Sequence, residues 1–244
     1  MTTLKSNDKY LNLTGVIVTL TILIAAITIE YAGYDLALAR LWYDADTQSW
    51  PWHDNWLLED VLHVTGVRLI GVVYVGVFIA LIASFKIPSL RRWRRGFVMI
   101  LIGGLLGSGI VSLIKSNTHI YMPRKIMPFG GFKPYVRLFD HVPSGLPTGH
   151  AFPAGHASGG YGLVCFFFLF RVYAPKYQWI GLLSGLTVGM VFGIAQQMRG
   201  EHFLSHDLIS IIICWWSAWS AYRFIVKDKL RPLQKSASNE GDKP

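Results

Sequence analysis

Charge is scarce in this chain. Asp, Glu, Lys and Arg make up only 15% of its 244 residues, where a soluble domain carries roughly 25%. So little charge excludes a large globular domain that must dissolve its own surface. Cysteine is nearly absent too. Cys165 and Cys214 both fall in apolar stretches, which excludes a disulfide framework and a cysteine metal site. Neither an internal repeat nor a low-complexity linker divides the sequence, so one domain is expected over 1–226. The polar tail, 227–244, is expected to be disordered.

Long apolar blocks are what the chain does have. They run over 13–29, 67–85, 96–114, 157–170, 180–195 and 208–225. Each approaches the roughly 20 residues a helix needs to cross a bilayer, and the fourth reaches it if Arg171 snorkels. The expected fold class is therefore all-α, an integral membrane bundle of six transmembrane helices. The first block is expected to stay as an anchor, because no small-x-small cleavage site closes it.

The basic residues orient the bundle. With six spans, 15 of the 23 Lys and Arg fall on the side of the two termini, including Arg91, Arg92, Arg94 and Arg95 in the second loop. By the positive-inside rule both termini are cytoplasmic. The net charge of +9 then suits an anionic leaflet, and no nucleic acid is needed to explain it. All eight histidines fall on the opposite face, where the connecting segments 30–66, 115–156 and 196–207 carry the bulk of the loop residues. Function is expected there. The first of these segments holds Trp42, Trp50, Trp52 and Trp56, and its stretch 56–63 has helical spacing suited to lying flat at the interface. In the second, Lys133 and Arg137 are candidates either for a lipid head group or for solvent.

Three stretches carry chemistry. Lys115 to Arg124, reading KSNTHIYMPR, ends the third span. Pro153-Ala154-Gly155-His156 opens the fourth. Arg199 to Asp207, reading RGEHFLSHD, joins the fifth to the sixth. Together they bring cations, histidines, a carboxylate and a helix start to one face. Phosphoryl transfer needs that set. Lys, Arg and backbone N–H groups stabilise charge on the equatorial oxygens. A helix beginning at Gly155 offers free N–H groups and lets a phosphate approach the backbone. One imidazole can attack phosphorus while another protonates the leaving oxygen. A zinc reading of His202 and His206 lacks a third ligand and any H-E-x-x-H pattern, so no metal and no cofactor are expected.

These stretches resemble the type 2 phosphatidic acid phosphatase superfamily, whose motifs are K-x6-R-P, P-S-G-H and S-R-x5-H-x3-D. The resemblance spans about 115–207, and the string FPAGHASGG at 152–160 is similar to a bacterial branch of it. It implies that His202 is the nucleophile, His156 the general acid and Lys115 a phosphate ligand, with Ala154 and Gly155 at the phosphate-binding turn. The chain departs from the pattern at several positions. Ala154 replaces Ser, Met122 stands where Arg is usual, Gln196 stands at the second Arg position, and His206 stands where Asp is usual. Arg124 and Arg199 lie close enough to substitute for the two arginines. Asp207 or His206 orients His202, Asp207 being chemically the better orienter. The resemblance implies a membrane phosphatase acting on a phosphorylated lipid at the periplasmic face of a bacterial inner membrane. The alternatives are a lipid phosphotransferase and a non-catalytic lipid-phosphate binder or transporter.

Overall fold

The computed structural model describes residues 2–227, so all but the first residue of the expected tail lies outside the described part. Among the described residues there is no strand, only isolated bridges at Asp44–Ser49 and Ile126–Lys133. The helices are α1 (Thr2–Tyr31), α2 (Tyr34–Ala39), α3 (Gly66–Ala83), α4 (Pro88–Arg91), α5 (Arg94–Lys115), α6 (Gly155–Tyr161), α7 (Cys165–Tyr173), α8 (Gln178–Met198) and α9 (Leu204–Ala221).

Among the described residues five stretches are long and apolar enough to cross a membrane: Tyr10–Tyr31, Leu57–Ala83, Arg94–Lys115, Pro175–Met198 and Leu204–Val226. The fourth apolar block of the sequence is helical but does not qualify. A 3-10 turn, Gly162–Val164, separates α6 from α7. Gly159, Gly160 and Gly162 weaken the helix there, because glycine loses the most backbone freedom on ordering. The stretch 56–63 also differs from expectation. It does not lie apart from the bundle. Leu57–Thr65 is a π-helix that runs straight into α3, since the junction residue Gly66 keeps helical angles.

Apolar side chains face outward along the outer helices. Leu13, Ile17 and Leu20 of α1, and Leu69, Val72 and Ile79 of α3, are exposed. Stripes of this kind are unfavourable in water and suited to hydrocarbon, where the backbone is satisfied within each helix. Inside, Met99 and Ile100 of α5, Phe167 and Phe168 of α7, Ala218 of α9 and Tyr222 form the largest buried cluster. α6 meets α8 almost backbone to backbone. A Cβ on Gly160 would lie 2.5 Å from the Gly189 nitrogen, so no larger residue fits. Two indoles tie α9 to α1: Trp216 Nε1 donates to Thr19 Oγ1 and Trp219 Nε1 to Asn12 Oδ1, both at 2.9 Å.

At one end of the bundle a cap forms from the long connections. Phe129, Tyr121, Ile126 and Phe203 are buried there beside Tyr43 and Trp50. Trp50 thus packs on protein, with its ring over Gly200, while Trp52 and Trp56 are exposed. The start of α9 is capped from another element. The N-cap residue is Phe203, and Asp35 of α2 supplies the acceptors. Ser205 donates its N–H to Asp35 Oδ1 at 3.2 Å and its hydroxyl to Asp35 Oδ2. Asp35 is 1% exposed, so these bonds replace water for the carboxylate and for a helix-terminal N–H.

Asp35→Ala is expected to destabilise the protein by about 1–3 kcal/mol, the cost of leaving the buried Ser205 donors unpaired. Thermal unfolding in detergent measures this. Asp35→Asn, which keeps one acceptor, is expected to lose less.

Candidate active site

The three stretches converge where α5, α6 and α9 end or begin. His202 lies in the short connection between α8 and α9 and is 3% exposed. Its Nδ1 is 2.8 Å from the Ala151 carbonyl oxygen. A carbonyl only accepts, so Nδ1 carries the proton and the Nε2 lone pair is free. Burial pushes this imidazole well below its ordinary pKa, and Lys115, His206 and His156 push it the same way. His202 is therefore neutral at physiological pH.

The Ala151 carbonyl is itself fixed. Gly149 N–H donates to Thr118 O at 2.9 Å, Ala151 N–H to Ile120 O at 3.1 Å, and the Thr118 hydroxyl to Phe152 O at 2.9 Å. This lacing ties the end of the second long connection to the residues that follow α5. Ala154 and Gly155 come next, and His156 is the second residue of α6. A Cβ on Gly155 would lie 3.5 Å from Lys115 Nζ, which places the ammonium beside the opening turn of α6. The N–H groups of that turn have no acceptor within the helix.

Two acidic residues and a third histidine complete the cluster, none of them singled out by the motifs. The His63 ring lies 4.0 Å from the His156 ring, centroid to centroid, at 67°. His63 Nδ1 is 3.3 Å from Glu59 Oε1. The other Glu59 oxygen pairs with the Arg199 guanidinium. Arg199 also donates to the His53 carbonyl at 3.0 Å and to Gln196 Oε1 at 3.3 Å. Arg124 Nε donates to Glu201 Oε1 at 2.8 Å. Both arginines thus stand near the site, each engaged with a carboxylate.

The two residues expected to orient His202 sit elsewhere. Asp207 accepts from Gln197 Nε2, and its other oxygen has no partner. Its carboxylate packs against Gly193, where a Cβ would lie 2.6 Å from Oδ2. His206 Nδ1 accepts from the Phe203 N–H at 3.5 Å, and its ring is 5.8 Å from that of His202. Neither hydrogen-bonds His202. Sequence could not reveal the group that does, because a backbone carbonyl leaves no residue signature. Glu59 and His63 did leave a signal, an i, i+4 acid–histidine pair at the N-terminal end of the second apolar stretch. His150 is turned away and meets Thr148 Oγ1 at 2.8 Å. Lys133 and Arg137 part company: Arg137 pairs with Asp140 at 3.0 Å and lies over the Tyr31 ring.

A buried neutral imidazole with one free nitrogen, a second imidazole and a lysine beside it, and a glycine-opened helix start are the parts of a phosphoryl-transfer site. The profile of the PAP2 superfamily matches residues 97–230, more than half of the chain, and the chain belongs to that superfamily. Membership indicates a phosphatase. No curated protein and no solved structure matches it. The matched range begins after the π-helix, so Glu59 and His63 lie outside it.

His202 is expected to be the Nδ1–H tautomer and to stay uncharged below pH ~6.5, where a free histidine is half protonated. The sign follows from its lowered pKa. Nitrogen chemical shifts of labelled His202 in micelles check this, and protonation near the free value would contradict the burial argument.

Proposed function

We propose that the protein is a membrane lipid phosphatase working through a phosphohistidine on His202. The observation that carries this reading is the His202 geometry: Nδ1 held by the Ala151 carbonyl, Nε2 free, and Lys115 and His156 at hand. Nε2 attacks phosphorus as the bond to the lipid oxygen breaks. His156 takes up a proton as the anionic head group enters beside it and gives that proton to the leaving oxygen. Lys115 and the N–H groups at Gly155 and His156 hold the equatorial oxygens. Arg124 and Arg199 add positive field from behind their carboxylates. Neutral His156 then takes a proton from water, which attacks the phosphohistidine and frees phosphate. His63 positions the His156 ring through their contact. Asp207 and His206, buried in the first turn of α9, hold that turn in place rather than touch substrate.

The substrate is a phosphorylated lipid, because the site lies at the ends of apolar helices and head groups arrive there from the bilayer. The fourth helical stretch, Gly155 to Tyr173, completes six spans in this reading. Both termini are then cytoplasmic and the site faces the periplasm of a bacterial inner membrane, as the distribution of Lys and Arg supports. One observation favours a second reading. His202 is only 3% exposed, and a phosphohistidine shielded from water could pass its phosphate to another lipid.

Purified protein is expected to release phosphate from lipid phosphates in the presence of a chelator. His202→Ala is expected to abolish release, and His156→Ala to slow it by about 10²–10⁴. Acid-labile label on His202 after a short incubation identifies the intermediate. Normal turnover by His202→Ala would overturn the mechanism. Turnover only with an acceptor lipid would favour the phosphotransferase. Binding without any turnover would favour the non-catalytic reading.

A further inference from the structure

Beside the histidine cluster, the second long connection folds around a cleft of about 480 Å³. Arg124, Lys125, Lys133 and His150 line it, together with Tyr121 and Phe132, and no carboxylate does. That volume falls within the roughly 300–1,000 Å³ of small-molecule sites. The two lysines are set by backbone, not by long flexible arms alone. Lys133 N–H donates to Lys125 O at 2.9 Å, and Met127 N–H donates to Lys133 O at 2.9 Å. Lys133 Nζ lies 5.5 Å from the Tyr121 ring centroid and 5.3 Å from that of Phe132. Among the described residues neither Lys125 nor Lys133 enters an ion pair. Both are half-buried. Uncompensated cations gathered in a concavity raise the local concentration of anions.

The cleft adjoins the reaction site. Arg124 lines it and bonds Glu201, the residue before His202. Gly149 also lines it, two residues before the carbonyl that holds His202. We propose that this cleft binds a second phosphate-class group, carried by the same head group whose scissile phosphate meets His202. The preferred substrate is then a lipid with a phosphomonoester and a further acidic group. This rests on the lipid phosphatase reading.

The full chain carrying K125A and K133A together, in mixed micelles, tests it with two lipids of identical tails. Phosphatidylglycerophosphate has a second phosphate and phosphatidic acid has none. For the first, KM is expected to rise about tenfold with kcat unchanged, the loss of at least one charge-assisted contact. Kinetics on phosphatidic acid are expected to stay as in the wild type, and K125R with K133R is expected to restore the lower KM. Unchanged KM for both lipids, or an equal rise for both, would overturn the proposal. A binding arm needs no turnover: thermal unfolding with glycerol bisphosphate or with inorganic phosphate. Stabilisation by the bisphosphate that K125A/K133A loses supports the cleft even if no lipid is hydrolysed, and then the phosphatase reading alone falls. Stabilisation kept in the variant overturns the cleft. Equal stabilisation by inorganic phosphate, lost in the variant, assigns the cleft to free phosphate and overturns the head-group reading.

Discussion

The histidine-bearing end of this bundle depends on one hydrogen bond, from His202 Nδ1 to the Ala151 carbonyl. It joins the connection that opens α6 to the connection that opens α9. Further contacts run along the same seam. Ala154 N–H meets the His206 carbonyl at 3.4 Å, and the Ser210 hydroxyl donates to Ala154 O at 3.0 Å. His156 and His202 therefore keep their relative places through backbone, which side-chain substitution disturbs least. The choice of acceptor has a chemical consequence. A carboxylate at Nδ1 would stabilise the imidazolium. A carbonyl fixes the tautomer and the ring with a weaker bias of the same sign, which burial outweighs. Burial then keeps the ring neutral.

Charge at the site is balanced locally. Arg199 is 5% exposed and rests on Glu59, and Arg124 rests on Glu201. A buried guanidinium without a partner would be costly, so each carboxylate makes its arginine tolerable in the absence of substrate. The carboxylates also temper the field that an arriving phosphate meets. Lys115 differs in this respect. No ion pair engages it among the described residues, and it lies beside the opening turn of α6. Lys115 is thus the cation most available to a phosphate, and the arginines act at longer range.

Much of this was legible in the sequence. Apolar blocks marked the helices because lipid demands continuous apolar surface, and His63, His156, His202 and His206, all from connections read to one side, do gather at one end of the bundle. The second motif, Pro153 to His156, reads directly as an extended turn and a helix start. What escaped was relational. Asp207 is one residue past the usual acid position, and only the fold reveals that its carboxylate turns toward Gln197 and Gly193. Asp35 caps a helix 170 residues away in sequence, a distance that no local pattern bridges. The broken fourth helix escaped for a different reason. Hydropathy ignores the backbone cost of Gly159, Gly160 and Gly162.

The first long connection changes how the site should be bounded. The family match begins at residue 97, yet His63 touches His156 and Glu59 holds Arg199, both from the π-helix that extends α3. In a π-helix the turn closes over one more residue than in an α-helix, which shifts side chains around the axis. Glu59 and His63 remain one above the other, and both face the cluster. An uninterrupted α-helix from 57 onward would rotate them relative to α3. Gly66, where the π segment ends, packs so closely on Phe192 of α8 that a Cβ would lie 2.7 Å from the ring. The register of α3 against α8 is thereby fixed just below His63. Helix packing in the bundle and the placement of His156 are consequently one problem. The helix that continues into α3 supplies a wall beside His156 and Arg199.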